Sequence, residues 1–423
     1  MKKFLKFLIL CLCGVLTFSF GACNKPDDKK PENTDTFNYY PTKENVKSDG
    51  QFTQKEGIEF PASLWQTPTA ERYDALDHEG VQGYFINSLN GTKVFCYVGI
   101  PETASAENKV PAVVLVHGAT GTAFYDWVQM WTEKGYAAIA MDTEGRMPTL
   151  NSTTMSPAWQ DSVREHGPLN QSFYDSDKPI NEQWTYHALA SVFASTSFIK
   201  SFEGVDQNKI GITGVSYGAY LTCLAAAYDD RYSFAAPVYG CLGNSPNSSF
   251  PFGTYMVNNG NGSAVETWDD ESILKDNRTP FLFVSGLPDT SFGSDSVTRT
   301  AKQCLYSQTI FKPALSHGHI QGADIEEIFS FADEIFYKKN ALIKITGDPA
   351  EGVLDIKVPK DVEIKSAQVY YTFSENIEMD TEWISGEVEV IGKNIIYDVD
   401  SSVKHYWVRV LDNRGFYACS VVS

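Results

Sequence analysis

The segment Gly214-Val215-Ser216-Tyr217-Gly218 carries a serine in a pattern that can support nucleophilic catalysis. It follows an apolar run at 210–213 that is typical of a strand, and it opens a helical pattern over 217–228. A serine on such a strand-to-helix turn presents its hydroxyl at the end of a sheet, and the flanking glycines let strand and helix approach closely. We therefore predict that Ser216 is the nucleophile of an acyl-transfer reaction.

A serine hydroxyl is a weak nucleophile, so this reaction also needs an acid and a base that act on Ser216. In proteins with this strand–turn–helix nucleophile, the acid follows the serine along the chain and a histidine follows the acid. Asp289 comes shortly after the apolar run 281–285 and is the predicted acid. Asp295 is the alternative, although an Asp at the start of a helix is ordinarily a cap.

Two histidines, His317 and His319, follow the last strand-like run at 309–314. The base must lie near a strand end, and both residues meet that condition. His317 is closer to the strand and directly precedes Gly318. We predict His317 as the general base, with His319 as a loop or substrate-binding residue.

A tetrahedral intermediate requires two N–H donors that point at its oxyanion. The amide of Tyr217 directly follows the nucleophile and is the predicted first donor. The second donor is expected in the loop 117–122, which follows another strand-like run. We predict the amide of Ala119, with Thr120 as the alternative.

These residues fall on a regular alternation of strand-like and helix-like segments, which predicts an α/β fold with a mostly parallel sheet. The continuous apolar run 110–116 is typical of a strand that is buried on both faces. Two irregular stretches, at 143–180 and 241–265, interrupt the alternation and are predicted to be functional insertions. After residue 340 the helical pattern ends, and about seven short strand-like runs predict a small all-β, sandwich-like domain at 341–423.

Composition excludes several other classes of protein. The chain has 423 residues, of which 43% are hydrophobic, so it is neither wholly disordered nor a multi-span membrane protein. A net charge of −19 argues against a nucleic-acid partner, because phosphate binding requires clustered Lys and Arg. Eight irregularly spaced cysteines do not indicate a disulfide scaffold or a metal site, and those after residue 95 are predicted to be buried thiols. We predict no metal and no cofactor.

The first residues are predicted to be a targeting segment. Basic residues precede an apolar run at 7–20, which is too short to span a bilayer but suits a signal peptide. The following Gly-Ala-Cys resembles the lipobox of bacterial lipoproteins, with Cys23 as the lipidated residue. We predict a signal peptide at 1–22, a polar tether at 23–50 and a catalytic domain at 51–340. The expected location is the outer membrane or cell surface of a bacterium, with Cys23 as the lipid anchor.

Longer strings around the site resemble one known family. The resemblance covers about residues 80–340 and rests on Val114-Leu-Val-His-Gly, Gly135-Tyr-Ala-Ala-Ile-Ala-Met-Asp142, Gln183-Trp-Thr-Tyr-His187, the Ser216 segment, Asp229-Asp-Arg-Tyr232 and Pro237-Val-Tyr-Gly-Cys241. These strings look like the acetylxylan esterase and cephalosporin deacetylase branch of the α/β-hydrolases. The resemblance implies deacetylation of plant polysaccharides or their oligomers. It also favours His317 over His319, by its spacing to the helix that follows.

The first insertion and the helix after it supply candidates for substrate binding. Aromatic side chains can stack on sugar rings, and cationic side chains can bind a carboxylate. The candidates are Trp159, Arg164, His166 and Trp184, with His319 added from the loop after the last strand.

Three functions remain open from the sequence. An esterase that acts on acetylated carbohydrate, or on another small ester, is favoured. A peptidase that resembles prolyl oligopeptidase is second, although no propeller domain precedes the hydrolase pattern. A non-catalytic glycan-binding lipoprotein is third, and the Ser-Asp-His chain order argues against it.

Overall fold

The computed structural model describes most of the chain after the predicted tether. The described residues are Tyr40, 58–170, 175–241, 267–289, 291–377 and 381–423. The predicted signal peptide, Cys23, nearly all of the tether and most of the second insertion lie outside these residues. No described helix is long and apolar enough to cross a membrane.

Strands and helices alternate through the first part of the described chain. The strands there are β1 (Ala70–Arg72), β2 (Val81–Asn87), β3 (Lys93–Gly99), β4 (Val110–Val116), β5 (Ala137–Met141), β6 (Arg146–Pro148), β7 (Trp159–Asp161), β8 (Val205–Val215), β9 (Tyr232–Val238), β10 (Phe281–Gly286) and β11 (Ser307–Lys312). The helices are α1 (Tyr125–Glu133), α2 (Trp184–Ile199), α3 (Tyr217–Tyr228), α4 (Asp270–Ile273), α5 (Ser294–Ala301), α6 (His319–Ala323) and α7 (Glu326–Tyr337).

A parallel block forms the centre of the main sheet, in the order β5-β4-β8-β9-β10-β11. Strands β1, β2 and β3 extend it on one side as an antiparallel meander. The turn between β2 and β3 holds Asn90 and Gly91, both at positive φ, and an Asn-Gly pair is typical of a β-hairpin turn. The predicted α/β fold is therefore confirmed, with the parallel strands at the centre of a mixed sheet whose outer strands are antiparallel.

Side chains of β4 show why the centre of the sheet is a continuous apolar run. Val114 and Val116 belong to one hydrophobic core, whereas Val113 and Leu115 belong to the core on the opposite face. Alternate residues of a strand point to opposite faces, so a strand that is covered on both faces needs apolar residues throughout. Helices α2 and α3 contribute to the first core, and α1 and α7 contribute to the second.

The remaining strands form the C-terminal part. They are β12 (Lys344–Thr346), β13 (Val353–Lys357), β14 (Ile364–Thr372), β15 (Ile384–Glu387), β16 (Glu389–Ile391), β17 (Asn394–Ile396), β18 (His405–Asp412) and β19 (Tyr417–Cys419).

Two layers of these strands enclose a separate hydrophobic core, as expected for a sandwich-like region. One layer is a four-stranded sheet in the order β12-β13-β17-β16. The other layer, β19-β18-β14-β15, continues the main sheet, because β19 pairs with β11 at Thr309 and Cys419. The predicted all-β region after residue 340 is therefore present, and one of its two layers is hydrogen-bonded to the edge of the main sheet. A buried ion pair between Lys344 of β12 and Glu334 of α7 (2.6 Å) also links the two parts.

Candidate active site

The backbone at Ser216 adopts the sharp turn that the sequence motif requires. Ser216 lies between β8 and α3 at φ 58° and ψ −123°, a conformation that non-glycine residues rarely adopt. A Cβ atom at Gly214 would lie 2.2 Å from the carbonyl oxygen of Gly218, and one at Gly218 would lie 2.0 Å from the carbonyl oxygen of Val116. Only glycine fits at these two positions, so the motif follows from the close packing of strand, turn and helix.

Three side chains that are far apart in the sequence meet at this turn. The Ser216 Oγ lies 2.8 Å from Nε2 of His317, and Nδ1 of the same ring lies 2.8 Å from Oδ2 of Asp289. In this arrangement, the imidazole can accept the hydroxyl proton while the carboxylate accepts the Nδ1 proton. The structure therefore brings together the three residues that the sequence predicts as nucleophile, base and acid.

The carboxyl group of Asp289 is fixed in its orientation. Its Oδ1 accepts hydrogen bonds from the amides of Ser291 (2.7 Å) and Phe292 (2.8 Å), which leaves Oδ2 for His317. The ring of Phe292 stacks on the His317 imidazole with 6.0 Å between centroids. Asp295, the alternative acid, lies in the first turn of α5, and Asp289 is the carboxylate that contacts the imidazole.

Tyr239, which is not among the site residues predicted from the sequence, supports the other side of the histidine. Its ring centroid lies 4.5 Å from that of His317, and its hydroxyl donates a hydrogen bond to the carbonyl oxygen of Gly318. Tyr239 has a positive φ of 39°, and it directly follows β9. The imidazole is thus held between two aromatic rings and a carboxylate.

The loop after β4 lies against the nucleophile. A Cβ atom at Gly118 would lie 2.9 Å from the Cβ of Ser216. The amide of Gly118 donates to Nε2 of His319 (3.1 Å), and the amide of Thr120 donates to Oε1 of Glu144 (3.2 Å). The Ala119 amide lies between these two and is engaged by neither acceptor. The Thr120 amide is thus already engaged by Glu144, and Ala119 stays the predicted second oxyanion donor, beside the amide of Tyr217 at the start of α3.

His319 therefore supports the loop after β4 instead of contacting Ser216. Burial lowers the pKa of His319 to about 4, and the nearby His117 and His317 rings act in the same direction. The ring is neutral at neutral pH, so its Nε2 can accept the proton of the Gly118 amide. Burial also lowers the pKa of His117 to about 4, and its Nε2 accepts a hydrogen bond from the amide of Thr143 (3.0 Å).

We expect His319→Ala to lower kcat for p-nitrophenyl acetate by roughly 5- to 30-fold with little change in KM, because one hydrogen bond that fixes the loop is lost. His319→Gln should recover part of this loss, since the amide oxygen of Gln can accept the same proton. Because the pKa of His319 is about 4, the ratio of wild-type to His319→Ala kcat should stay constant between about pH 6 and pH 8. Equal losses in both variants would contradict the positioning role. Steady-state kinetics across that pH range is the measurement.

The other substrate-binding candidates differ in their burial and in the residues that they contact. Trp184 is only 1% exposed, and its Nε1 donates to the carbonyl oxygen of Thr143 (2.8 Å). Its ring packs on that of Tyr217, so it supports the site from within the core, and a ligand cannot reach it. Arg164 forms an ion pair with Glu71 of β1, at the edge of the main sheet.

His166 lines a small polar cavity of the first insertion. Its Nδ1 lies 2.6 Å from the carbonyl oxygen of Gly167, and Asp142 and Arg146 contribute to the same cavity. Burial raises the pKa of Asp142 to about 7. The side chain of Asp142 accepts hydrogen bonds from the amides of Glu144 and Arg146, so it shapes the turn after β5.

Trp159 is the aromatic candidate that lies at the surface beside the loop after β4. Its side chain is 40% exposed, and its Nε1 donates to the carbonyl oxygen of Thr120 (3.2 Å). Arg146 lies over one face of the indole, 3.5 Å from the ring centroid. Of the three candidates Trp159, Trp184 and Arg164, Trp159 is the one that lies in an accessible position beside the loop after β4.

One group of described residues has the composition of a metal site. Cys223, Cys241 and Asp270 place one candidate ligand atom each within 4.8 Å of one another in the core beside α3. The two sulfur atoms are 4.0 Å apart, and burial raises the pKa of both thiols. A metal would have to displace protons from these two thiols. The five described cysteines are all buried and unpaired, as the sequence predicts.

Comparisons with known proteins agree with this fold. A family model for acetyl xylan esterase matches residues 38–247, and one for the prolyl oligopeptidase family matches residues 167–328. The structure of acetyl xylan esterase 1 from Thermoanaerobacterium sp. JW/SL YS485 is similar with a TM-score of 0.50 and 15% identity, over 65% of this chain and 93% of that chain. An acetyl xylan esterase from Paenibacillus sp. R4 gives a TM-score of 0.49 and 16% identity, over 65% and 92% of the two chains.

Proposed function

We propose that this chain, whose fold and family-model matches resemble those of the acetyl xylan esterases among the α/β-hydrolases, is a serine esterase that removes acetyl groups from plant polysaccharides or their oligomers. The observation that supports the serine mechanism most directly is the chain of two 2.8 Å contacts from Ser216 through His317 to Asp289. The family match over residues 38–247 supports the acetyl ester as substrate.

The first half of the proposed reaction transfers the acyl group to the enzyme. His317 removes the proton from Ser216 Oγ as this oxygen attacks the ester carbonyl carbon. Asp289 keeps the proton of the imidazole on Nδ1 and stabilises the imidazolium that forms. The amides of Tyr217 and Ala119 donate to the oxyanion, which collapses as the imidazolium protonates the departing sugar alcohol.

The second half returns the enzyme to its starting state. Water enters, His317 accepts one of its protons, and the resulting hydroxide attacks the acetyl-serine carbonyl carbon. The second tetrahedral intermediate uses the same two amides, and its collapse releases acetate and restores the Ser216 hydroxyl. In both halves of the reaction, Nε2 of His317 accepts a proton from the attacking oxygen and returns it to the leaving oxygen. One histidine therefore acts as base and acid throughout.

A substrate panel tests this function. We expect the purified protein to release acetate from at least one of acetylated xylan, acetylated mannan and acetylated pectin, with acetylated xylan the best substrate. Acetate and methanol should be measured in parallel, because methanol release from pectin would indicate a methyl esterase instead. Turnover of p-nitrophenyl acetate without acetate release from any of the glycans would leave an esterase but contradict the proposed substrate class.

A serine peptidase is the second candidate function, because the family model for prolyl oligopeptidase matches residues 167–328, which include Ser216, Asp289 and His317. The same acyl-transfer chemistry can cleave an amide when the leaving amine is protonated. Aminoacyl p-nitroanilides belong in the same panel, and hydrolysis of an anilide faster than of p-nitrophenyl acetate would favour this candidate.

Export as a lipoprotein that is anchored through Cys23 is also part of our proposal.

A further inference from the structure

A closed ring of contacts joins Trp159 to the loop that carries the second oxyanion donor. The Thr120 amide donates to Glu144, Glu144 pairs with Arg146 (2.6 Å), Arg146 covers one face of the Trp159 indole, and the indole N–H donates to the carbonyl oxygen of Thr120. Glu144 also accepts a hydrogen bond from the side chain of Asn170 (3.2 Å). The ring of contacts fixes both the position and the tilt of the indole.

The Trp159 indole is held by contacts on its N–H and on one face, and it is still accessible. Its side chain is 40% exposed although its N–H and one face are engaged. Holding an aromatic ring in one orientation before a ligand arrives reduces the entropy that is lost on binding. An exposed indole that is held in this way is suited to stack on a flat, partly apolar ligand ring.

The indole lies close to the reacting atoms. It contacts Thr120, which is two residues from Gly118, and Gly118 lies against Ser216. Two residues of extended chain span at most about 7 Å. A ring stacked on Trp159 and an ester bound at Ser216 can therefore be two parts of one substrate molecule.

The surroundings of the indole favour a sugar ring over an aromatic acyl group. The neighbours of Trp159 in β7, Gln160 and Asp161, are exposed and offer hydrogen-bonding groups beside the platform. An aromatic acyl group gains most from an enclosed apolar slot, whereas a sugar ring presents C–H groups on one face and hydroxyls at its edge. We propose that Trp159 forms a stacking subsite for a pyranose ring of the glycan chain, which rests on the proposed function and specifies how the glycan is recognised.

The test compares two Trp159 variants and one control variant on two substrates. Trp159→Ala should lower kcat/KM for acetylated xylo-oligosaccharides about tenfold more than kcat/KM for p-nitrophenyl acetate, because only the glycan uses the platform. Trp159→Phe keeps a ring but lacks the N–H, so it should retain most of the preference for the glycan. Phe373→Ala is the matched control, because Phe373 is 51% exposed in the C-terminal part, and its removal should leave both values unchanged.

A binding measurement separates this proposal from the esterase proposal. In a Ser216→Ala background, calorimetry should detect binding of unacetylated xylo-oligosaccharide, and adding Trp159→Ala should weaken it about tenfold. This readout requires no hydrolysis, so it stands even when no acetyl ester is turned over. Equal losses on both substrates would show that Trp159 only supports the loop, and a selective loss on methyl ferulate would assign the platform to an aromatic acyl group. Either result would overturn the proposal.

Discussion

Ser216→Ala is expected to lower kcat/KM for p-nitrophenyl acetate by about 10⁴-fold or more, which is the largest effect we predict for any single substitution. The reason is that, within the described part of the chain, Ser216 carries the hydroxyl that lies 2.8 Å from the His317 Nε2 atom, and no other described hydroxyl takes that place. Without the covalent step, only the oxyanion donors and binding would assist attack by water. The measurement is steady-state hydrolysis at enzyme concentrations high enough to detect the residual rate.

The Ser216→Ala variant should fold normally, and this can be checked independently. Alanine keeps the Cβ atom, so the positive φ of 58° at this position is no more strained than with serine. Its thermal unfolding midpoint should therefore match that of the wild type, and a fluorophosphonate probe should label the wild type but not the variant. A variant that retained more than about 1% of the wild-type activity would sink the assignment of Ser216 as nucleophile.

Asp289→Asn is expected to lower kcat about 10³- to 10⁴-fold, although the substitution changes the side chain by only one group. Two backbone amides, those of Ser291 and Phe292, donate to one side-chain oxygen and would keep the oxygen of the new amide in that place. The amide NH₂ group would then face Nδ1 of His317 and force its proton onto Nε2. An Nε2–H group cannot accept the Ser216 proton, so the base is lost while the geometry is kept.

Asp295→Asn is the matched control for this prediction. Asp295 lies in the first turn of α5, and the sequence left it open as the alternative acid. We expect Asp295→Asn to retain most of the wild-type kcat. A large loss in Asp295→Asn together with a small loss in Asp289→Asn would reverse the assignment of the two carboxylates.

The sequence by itself predicted the order of strands and helices in the α/β part, because that order depends on local periodicity and on the glycines around Ser216. Apolar runs such as 110–116 indicate strands that are buried on both faces, and the structure has these strands at the centre of a parallel block. The chain order of Ser216, Asp289 and His317 could also be read from the sequence, because each residue comes at or after a strand end and parallel strands end at one edge of a sheet.

Tertiary structure decided between candidates that the sequence could not separate. His317 and His319 are two residues apart, and only the fold shows that one ring faces Ser216 while the other accepts the Gly118 amide. Trp159 and Trp184 were equal candidates, but burial of Trp184 leaves only Trp159 accessible. Such choices depend on side-chain direction and on contacts between residues that are distant in sequence, and local periodicity carries no information about either.

The C-terminal strands show that sheet pairing, like side-chain contacts, could not be predicted from local sequence patterns. Short alternating runs after residue 340 predicted the strands, but the pairing of Thr309 with Cys419 joins two of the chain's sheets into one. Strand patterns reveal which residues are extended, whereas the partner of an edge strand depends on which edge lies nearby in the folded chain. The sequence therefore determined the chemistry available to this protein, and the tertiary structure decided which atoms meet, because hydrogen bonds and stacking require contacts of a few ångströms that only the packed chain provides.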